Sequence, residues 1–286
     1  MAKTLNTKLL EAPYIVNRDD LSNGRWYYSK DKKGKYEFYF PSVTTILSAL
    51  DKGEGFARWL GNSVSYEAAM EYGGEAAKIG TITHAYVMYL LYGEKVDTAE
   101  GFQDKDNPDS DLTIIDNRVN KRLEGFEEFI KEVQPIPLAV ELMLYNPVQD
   151  DSQVIYPWAG QIDSIYKINN KIWLVDLKTG KEYKTHSLQL TAYKLLWDSL
   201  FPEYPIDYMA CLYIGDGWRK KPTYKLKKYK FEPDMWLSVY DMWQWLHADA
   251  RGNYPTPKFR KKHKTTFEIK PEYYQNKKGE KENDTV

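Results

Sequence analysis

Asp163, Asp176 and Lys178 are the residues of this chain best placed to do chemistry. Residues 160–178 read Gly-Gln-Ile-Asp-Ser-Ile-Tyr-Lys-Ile-Asn-Asn-Lys-Ile-Trp-Leu-Val-Asp-Leu-Lys. Two apolar, β-branched-rich runs flank Asn169-Asn170, a pair that tolerates the positive φ of a two-residue hairpin turn. With that pair as the turn, Ile168 meets Lys171 and Asp163 falls opposite Asp176. Directly opposed side chains have Cβ atoms roughly 4.5–5.5 Å apart, and like charges there are destabilising. A divalent cation between the two carboxylates would turn repulsion into attraction.

The second strand must place these groups. Side chains alternate, so Ile172, Leu174, Asp176 and Lys178 share one face, with Trp173, Val175 and Leu177 on the other. Both faces start apolar, as in a buried central strand, and only one turns charged at its end. Buried charge is costly unless paired or metal-bound. Other residues stand out for similar reasons. Glu141 interrupts the apolar strand Ala-Val-Glu-Leu-Met-Leu-Tyr, and His84 closes Gly80-Thr81-Ile82-Thr83-His84 on a helix. Gln189 and Tyr193, four apart, share a helix face. Gly180 would let the chain turn sharply after Lys178. Taken singly, each has a plainer reading: an ion pair, a satisfied polar residue, or packing on a helix face.

The 286 residues can hold one large core, and 40 Lys+Arg balance 41 Asp+Glu, so net charge does not point to a nucleic-acid partner. Cys211 is the single cysteine. It excludes a disulfide framework, a Cys-based zinc site and a four-cysteine iron–sulfur cluster, and its apolar surroundings suggest a core thiol. No signal-peptide pattern or membrane-length apolar run occurs, so a cytoplasmic location is expected, without membrane association. Asn23-Gly24 and Lys33-Gly34 are turn signals between short strands, and Ser42 caps a helix start. Helical periodicity runs through Phe56–Val64 and from about Glu75 to Leu91. Residues 97–111 read as a mobile acidic loop. A helix is expected near 114–133, a strand at 138–145, then the hairpin, a helix at about 185–200, strands at 208–214 and 223–231, and a Trp-rich helix near 233–250. Strands mixed with flanking helices imply an α/β fold around one core.

In this order, Gly80 to His84 (Gly-Thr-x-x-His), Glu141, Gly160 to Asp163 (Gly-x-x-Asp), Asp176 to Lys178 (Asp-x-Lys) and Gln189 to Tyr193 (Gln-x-x-x-Tyr) resemble the PD-(D/E)XK nuclease superfamily. The likeness is to its RecB-like exonuclease branch, including phage, bacterial and mitochondrial genome-maintenance exonucleases. Pro-Ser-Val-Thr-Thr-Ile-Leu and Trp59 upstream share it, over residues 41–195. Asp-x-Lys alone says almost nothing; five motifs in order say much. Some relatives carry an iron–sulfur cluster on four cysteines, which this chain cannot. The resemblance implies one nuclease domain over 1–264, a central mixed β-sheet flanked by helices under an N-terminal helical cover, with N-terminal strands and helices to 74, a catalytic core from 75, and a polar tail at 265–286.

It also implies a metal-dependent DNA exonuclease acting on linear ends, single-stranded or resecting duplex ends, with 5′→3′ polarity, in phage or bacterial recombination, repair or replication. Asp163, Asp176 and the Leu177 carbonyl would hold Mg²⁺ or Mn²⁺, His84 would add a nitrogen, and Glu141 could serve a second ion. Lys178 would orient water and stabilise developing charge. Gln189 and Tyr193 complete the catalytic set by positioning the lysine or the DNA. Residues 218–230 interleave seven basic residues (Arg219, Lys220, Lys221, Lys225, Lys227, Lys228, Lys230) with Trp218, Tyr224 and Tyr229, and 258–264 repeat the pattern around Phe259. Such surfaces suit single-stranded DNA, although lysines on a strand edge also serve simply to block aggregation. A single-strand-binding or annealing protein is a further expected partner. A structure-specific endonuclease and a catalytically dead nucleic-acid-binding homologue are the alternatives.

Overall fold

Asn169 and Asn170 take left-handed backbone conformations, φ 50° and 62°, and close the hairpin between β5 (Ala159–Ile168) and β6 (Lys171–Lys178) with Ile168 opposite Lys171. The structure, a computed structural model, describes residues 9–12, 16–21, 24–30, 36–50, 54–96, 98–102, 117–145, 158–215 and 224–247. Around the hairpin a five-stranded sheet forms in the order β4-β5-β6-β7-β8, with β4 at Ile136–Tyr145, β7 at Tyr208–Ile214 and β8 at Tyr224–Tyr229. Only β6 and β7 run parallel, joined through helix α5 (His186–Leu200). Pro137 is tolerated because β4 is an edge strand and its register slips between Pro137 and Ala139.

Both faces of β6 are covered, as its sequence requires. Leu174 packs with α5, α1 (Val43–Leu47) and α6 (Pro233–Leu246), while Val175 and Leu177 pack under α3 (Tyr66–Leu91) and α4 (Asn117–Val133). Trp26, Trp158, Trp197 and Trp236 are all fully buried on the α5 side, which gives the high aromatic content a structural role. Cys211 is buried there too.

Strands β1 (Asn17–Leu21), β2 (Gly24–Lys30) and β3 (Tyr36–Pro41) form a separate antiparallel sheet. It attaches through a Ser42–Ala159 bridge and a cluster of Tyr27, Phe40 and Ala159. Ser42 caps α1 by accepting from the Thr45 N–H at 2.9 Å. Of the N-terminal helices, α1 buries Val43 and Ile46 in the main core with α5 and α6; α2 spans Glu54–Gly61.

Helix α3 begins at Tyr66, well before the Glu75 that periodicity marks. Ser65 caps it by accepting from Ala68 N–H at 3.1 Å. Between Tyr66 and Lys78 every residue but Ala69 and Gly73 is exposed, so no apolar stripe announces that half. Of the acidic stretch, residues 98–100 form a single 3₁₀ turn. The Lys33-Gly34 turn, Trp218–Lys221, residues 258–264 and the tail from 265 lie outside the described residues.

Candidate metal centre and active site

The end of β5 distant from the hairpin turn is where the ladder stops being regular. Pairing with β6 runs to Ser164–Val175; one step further, Asp163 does not continue it. Its carboxylate Oδ2 instead accepts from the Leu177 N–H at 2.7 Å, a side chain standing in for a ladder bond. The strand on the other side is irregular too. Glu141 lies between the Val140–Ser164 and Leu142–Ile162 pairs with φ 48°. A non-glycine residue held in left-handed backbone costs about 1–3 kcal/mol and gathers at functional sites. Here the distortion sets the carboxylate of Glu141 beside that of Asp163.

Helix α3 supplies the third group. His84, Glu141 and Asp163 each offer a ligand atom, and these atoms lie within 4.8 Å of one another. His84 Nδ1 stands 3.6 Å from Asp163 Oδ2. One turn before His84, a Cβ on Gly80 would lie 3.1 Å from Thr179 Oγ1, so the glycine lets α3 approach the end of β6 closely. Two carboxylates and an imidazole at this separation can hold a divalent cation.

Asp176 lies outside that group of three, although its charge acts on both Asp163 and Glu141. It is 2% exposed and committed elsewhere. Lys178 Nζ lies 2.5 Å from its Oδ2, Gln189 Nε2 donates to its Oδ1 at 3.1 Å, and the Cys211 thiol approaches Oδ2 at 3.9 Å. Gln189 is used at every polar atom: its Oε1 accepts from Lys178 Nζ at 3.1 Å, and its Nε2 also donates to Tyr193 OH at 3.2 Å. The Tyr193 ring lies over Gly160, where a Cβ would overlap it. Gly160, Gln189 and Tyr193 thus work together to hold Asp176 and Lys178. Gly180 has no such role: its φ is not positive and a Cβ there would meet nothing within 4 Å. The chain does bend at Thr179 and Gly180, but the bend does not need a left-handed glycine.

Electrostatics follow from this crowding. Burial raises the Glu141 pKa, and the Asp163 and Asp176 charges raise it further. Asp163 is raised by burial and by Asp176, with His84 and Lys178 opposing. Burial lowers the Lys178 pKa, but Asp176 and Asp163 outweigh it and hold the ammonium above its ordinary value. Without an ion the acids repel; with one, the same crowding becomes a binding site.

Neither a family model nor a curated protein matches the chain. Two solved structures are similar in part. SSO0001 shares 16% identity, covering 50% of this chain and 62% of its own, with a TM-score of 0.28. A candidate exonuclease of Eubacterium rectale shares 11%, covering 69% of this chain and 80% of its own, with a TM-score of 0.36. The chain therefore spans less than two thirds of SSO0001. Likeness this slight leaves the functional argument to the site.

The basic surface is less open than its sequence suggests. Lys225 and Lys227 both bind Glu182, Lys227 at 2.6 Å, and Lys228 lies over the rings of Trp173 and Tyr208. Tyr229 OH is 2.6 Å from Tyr213 OH, and Tyr224 donates to Glu132. Three residues that sequence reasoning missed border the site. Gln161 Nε2 donates to Glu141 Oε2 at 2.7 Å and, through its Oε1, links to Arg18. His186, buried at the start of α5, has Nδ1 2.7 Å from Tyr213 OH. Gln161 occupied a variable position of Gly-x-x-Asp, and the other two lie outside every motif; only the tertiary contacts reveal them. Among the described residues no helix is long and apolar enough to cross a membrane.

Proposed function

We propose that this chain is a divalent-cation-dependent nuclease hydrolysing phosphodiester bonds at the ends of linear DNA, a RecB-like PD-(D/E)XK enzyme with one nuclease domain over residues 1–264. The observation that carries this reading is the convergence of His84, Glu141 and Asp163 on one point, with the Lys178 ammonium fixed alongside by Asp176 and Gln189. Carboxylate oxygens with one imidazole suit Mg²⁺ or Mn²⁺. Leu177 supports the same site. Its N–H faces Asp163, and in an extended strand the carbonyl of a residue faces the same edge as its N–H.

A divalent cation held there supplies charge neutralisation at the scissile phosphoryl group and acidifies water. The protein's own residues do the rest. Lys178, its pKa held up by the acids, is protonated at neutral pH and acts as a charge stabiliser and donor rather than a base. Two of its three N–H groups go to Asp176 and Gln189, leaving one for a water or a phosphoryl oxygen where negative charge develops. Tyr193, its hydroxyl pKa pushed well up by burial, stays neutral and accepts from Gln189.

Linear DNA labelled at either end, incubated with Mg²⁺, Mn²⁺ or chelator beside a closed circle, tests the reading. Degradation of the linear DNA with either cation, from the 5′ end, no reaction with chelator and a spared circle are expected. Lys178→Ala and Asp176→Ala should abolish degradation and keep binding. Full activity in either variant, or in chelator, discards the assignment; cutting of the circle replaces it with an endonuclease.

A further inference from the structure

The N-terminal sheet brings two arginines to the rim of the site. Arg18 on β1 and Arg25 on β2 share Asp20: its Oδ2 lies 3.3 Å from Arg18 Nε, and its Oδ1 accepts from Arg25 Nε at 2.7 Å. Arg18 also donates from a terminal nitrogen to Gln161 Oε1 at 3.2 Å, and Gln161 donates in turn to Glu141 Oε2 at 2.7 Å. A single amide therefore separates the Arg18 guanidinium from a carboxylate of the candidate metal group. The Arg18 charge also acts on Glu141, lowering its pKa against the larger effect of burial.

A structural salt bridge explains this poorly. Exposed ion pairs contribute about 0–1 kcal/mol, and the link through Gln161 to Glu141 adds nothing to the N-terminal sheet itself. The arrangement is what a phosphate-binding wall needs. A guanidinium offers five donors in a planar fork that matches a phosphate. Arg18 has two contacts among the described residues, and its side chain is 39% exposed. Asp20 and Gln161 fix the fork without covering it. Lys225 and Lys227, the other cationic pair argued for the substrate, are occupied by Glu182.

We propose that Arg18, seated by Asp20 and Gln161, binds one backbone phosphate of the DNA substrate next to the linkage being cleaved. This rests on the nuclease reading above. Single-stranded oligonucleotides carrying one neutral methylphosphonate at a time, cleaved by the wild-type protein, Arg18→Gln and Arg18→Lys, test it. A charge-assisted contact predicts a loss in kcat/KM of about 10- to 100-fold for Arg18→Gln, partly recovered by Arg18→Lys. Neutralising one particular linkage should cost the wild type the same factor and cost Arg18→Gln nothing further. Wild-type kinetics in Arg18→Gln, or losses that simply multiply at every linkage, overturn the proposal while leaving the nuclease reading intact. Failure of the wild-type protein to cleave any DNA removes that reading and this proposal together.

Discussion

Asp163 and Asp176, opposite each other in the hairpin pattern, take different partners. Asp163 belongs with Glu141 and His84; Asp176 belongs with Lys178 and Gln189. Residue types and their order in the motifs single out these side chains. They could not tell who pairs with whom, because that depends on Glu141 leaving extended backbone and on the Leu177 N–H capturing Asp163. Gln189 is the residue where this division can be measured. Its two polar atoms tie the ammonium to the carboxylate and reach the Tyr193 hydroxyl, and a hydrogen bond to a charged group contributes about 1.5–3 kcal/mol. Gln189→Leu should therefore lower kcat about 10- to 100-fold and leave KM nearly unchanged, because the lost bonds hold Lys178 rather than substrate. Steady-state kinetics showing the reverse split would place Gln189 on the DNA instead.

Helix α5 is the element that turns the end of the central strands into a site, and its entry is unusual. Thr185 makes no side-chain cap, while His186 ties the first turn to Tyr213 on β7 and so fixes where Gln189 and Tyr193 fall. The hairpin was legible in the sequence because two apolar runs flank a clear turn pair, Asn169-Asn170. The first half of α3 was not, since an exposed helix leaves no apolar stripe. Two predictions belong here. Gly160→Ala should destabilise by about 1–3 kcal/mol and impair catalysis, since the buried Tyr193 ring has nowhere to move, whereas Gly180→Ala should be neutral in a urea titration. Equal effects would contradict the close packing. The second concerns acid. Burial, followed by the Lys178 charge, lowers the His186 pKa to about 4. The unfolded chain, with an ordinary value of about 6.5, then binds the proton more readily, so stability present above that value is lost as pH falls toward 4. His186→Asn, able to hydrogen-bond without titrating, should lose less than the wild type over that window.

For the molecule as a whole, the central strand was the most legible feature: alternating faces, both apolar, ending in charge, and the structure covers each face with helices. The three-stranded sheet that carries Arg18 was far less so, its short polar strands being recognisable only as turns. That sheet and the main one meet at a site whose charges ought to govern global stability. In the absence of metal, burial and mutual repulsion raise the pKa values of Glu141 and Asp163, so the native protein binds more protons than the unfolded chain does above about pH 4. Their contribution is intact below that point and is lost as pH rises toward the raised native values. A divalent cation removes the repulsion, and its stabilisation must grow over the same window as competing protons leave. At a concentration about 100 times its Kd it adds about 2.7 kcal/mol, which at about 2–4 °C per kcal/mol is a shift in Tm of about 5–10 °C. His186 acts in the opposite sense, so the effect is read as the difference between Tm with Mn²⁺ and Tm with chelator at each pH. That difference should rise from about pH 5 to about pH 8, and Glu141→Gln should shrink it while stabilising the metal-free protein near neutrality. A difference that is flat with pH would mean that the cation, if it binds, does not bind between these carboxylates.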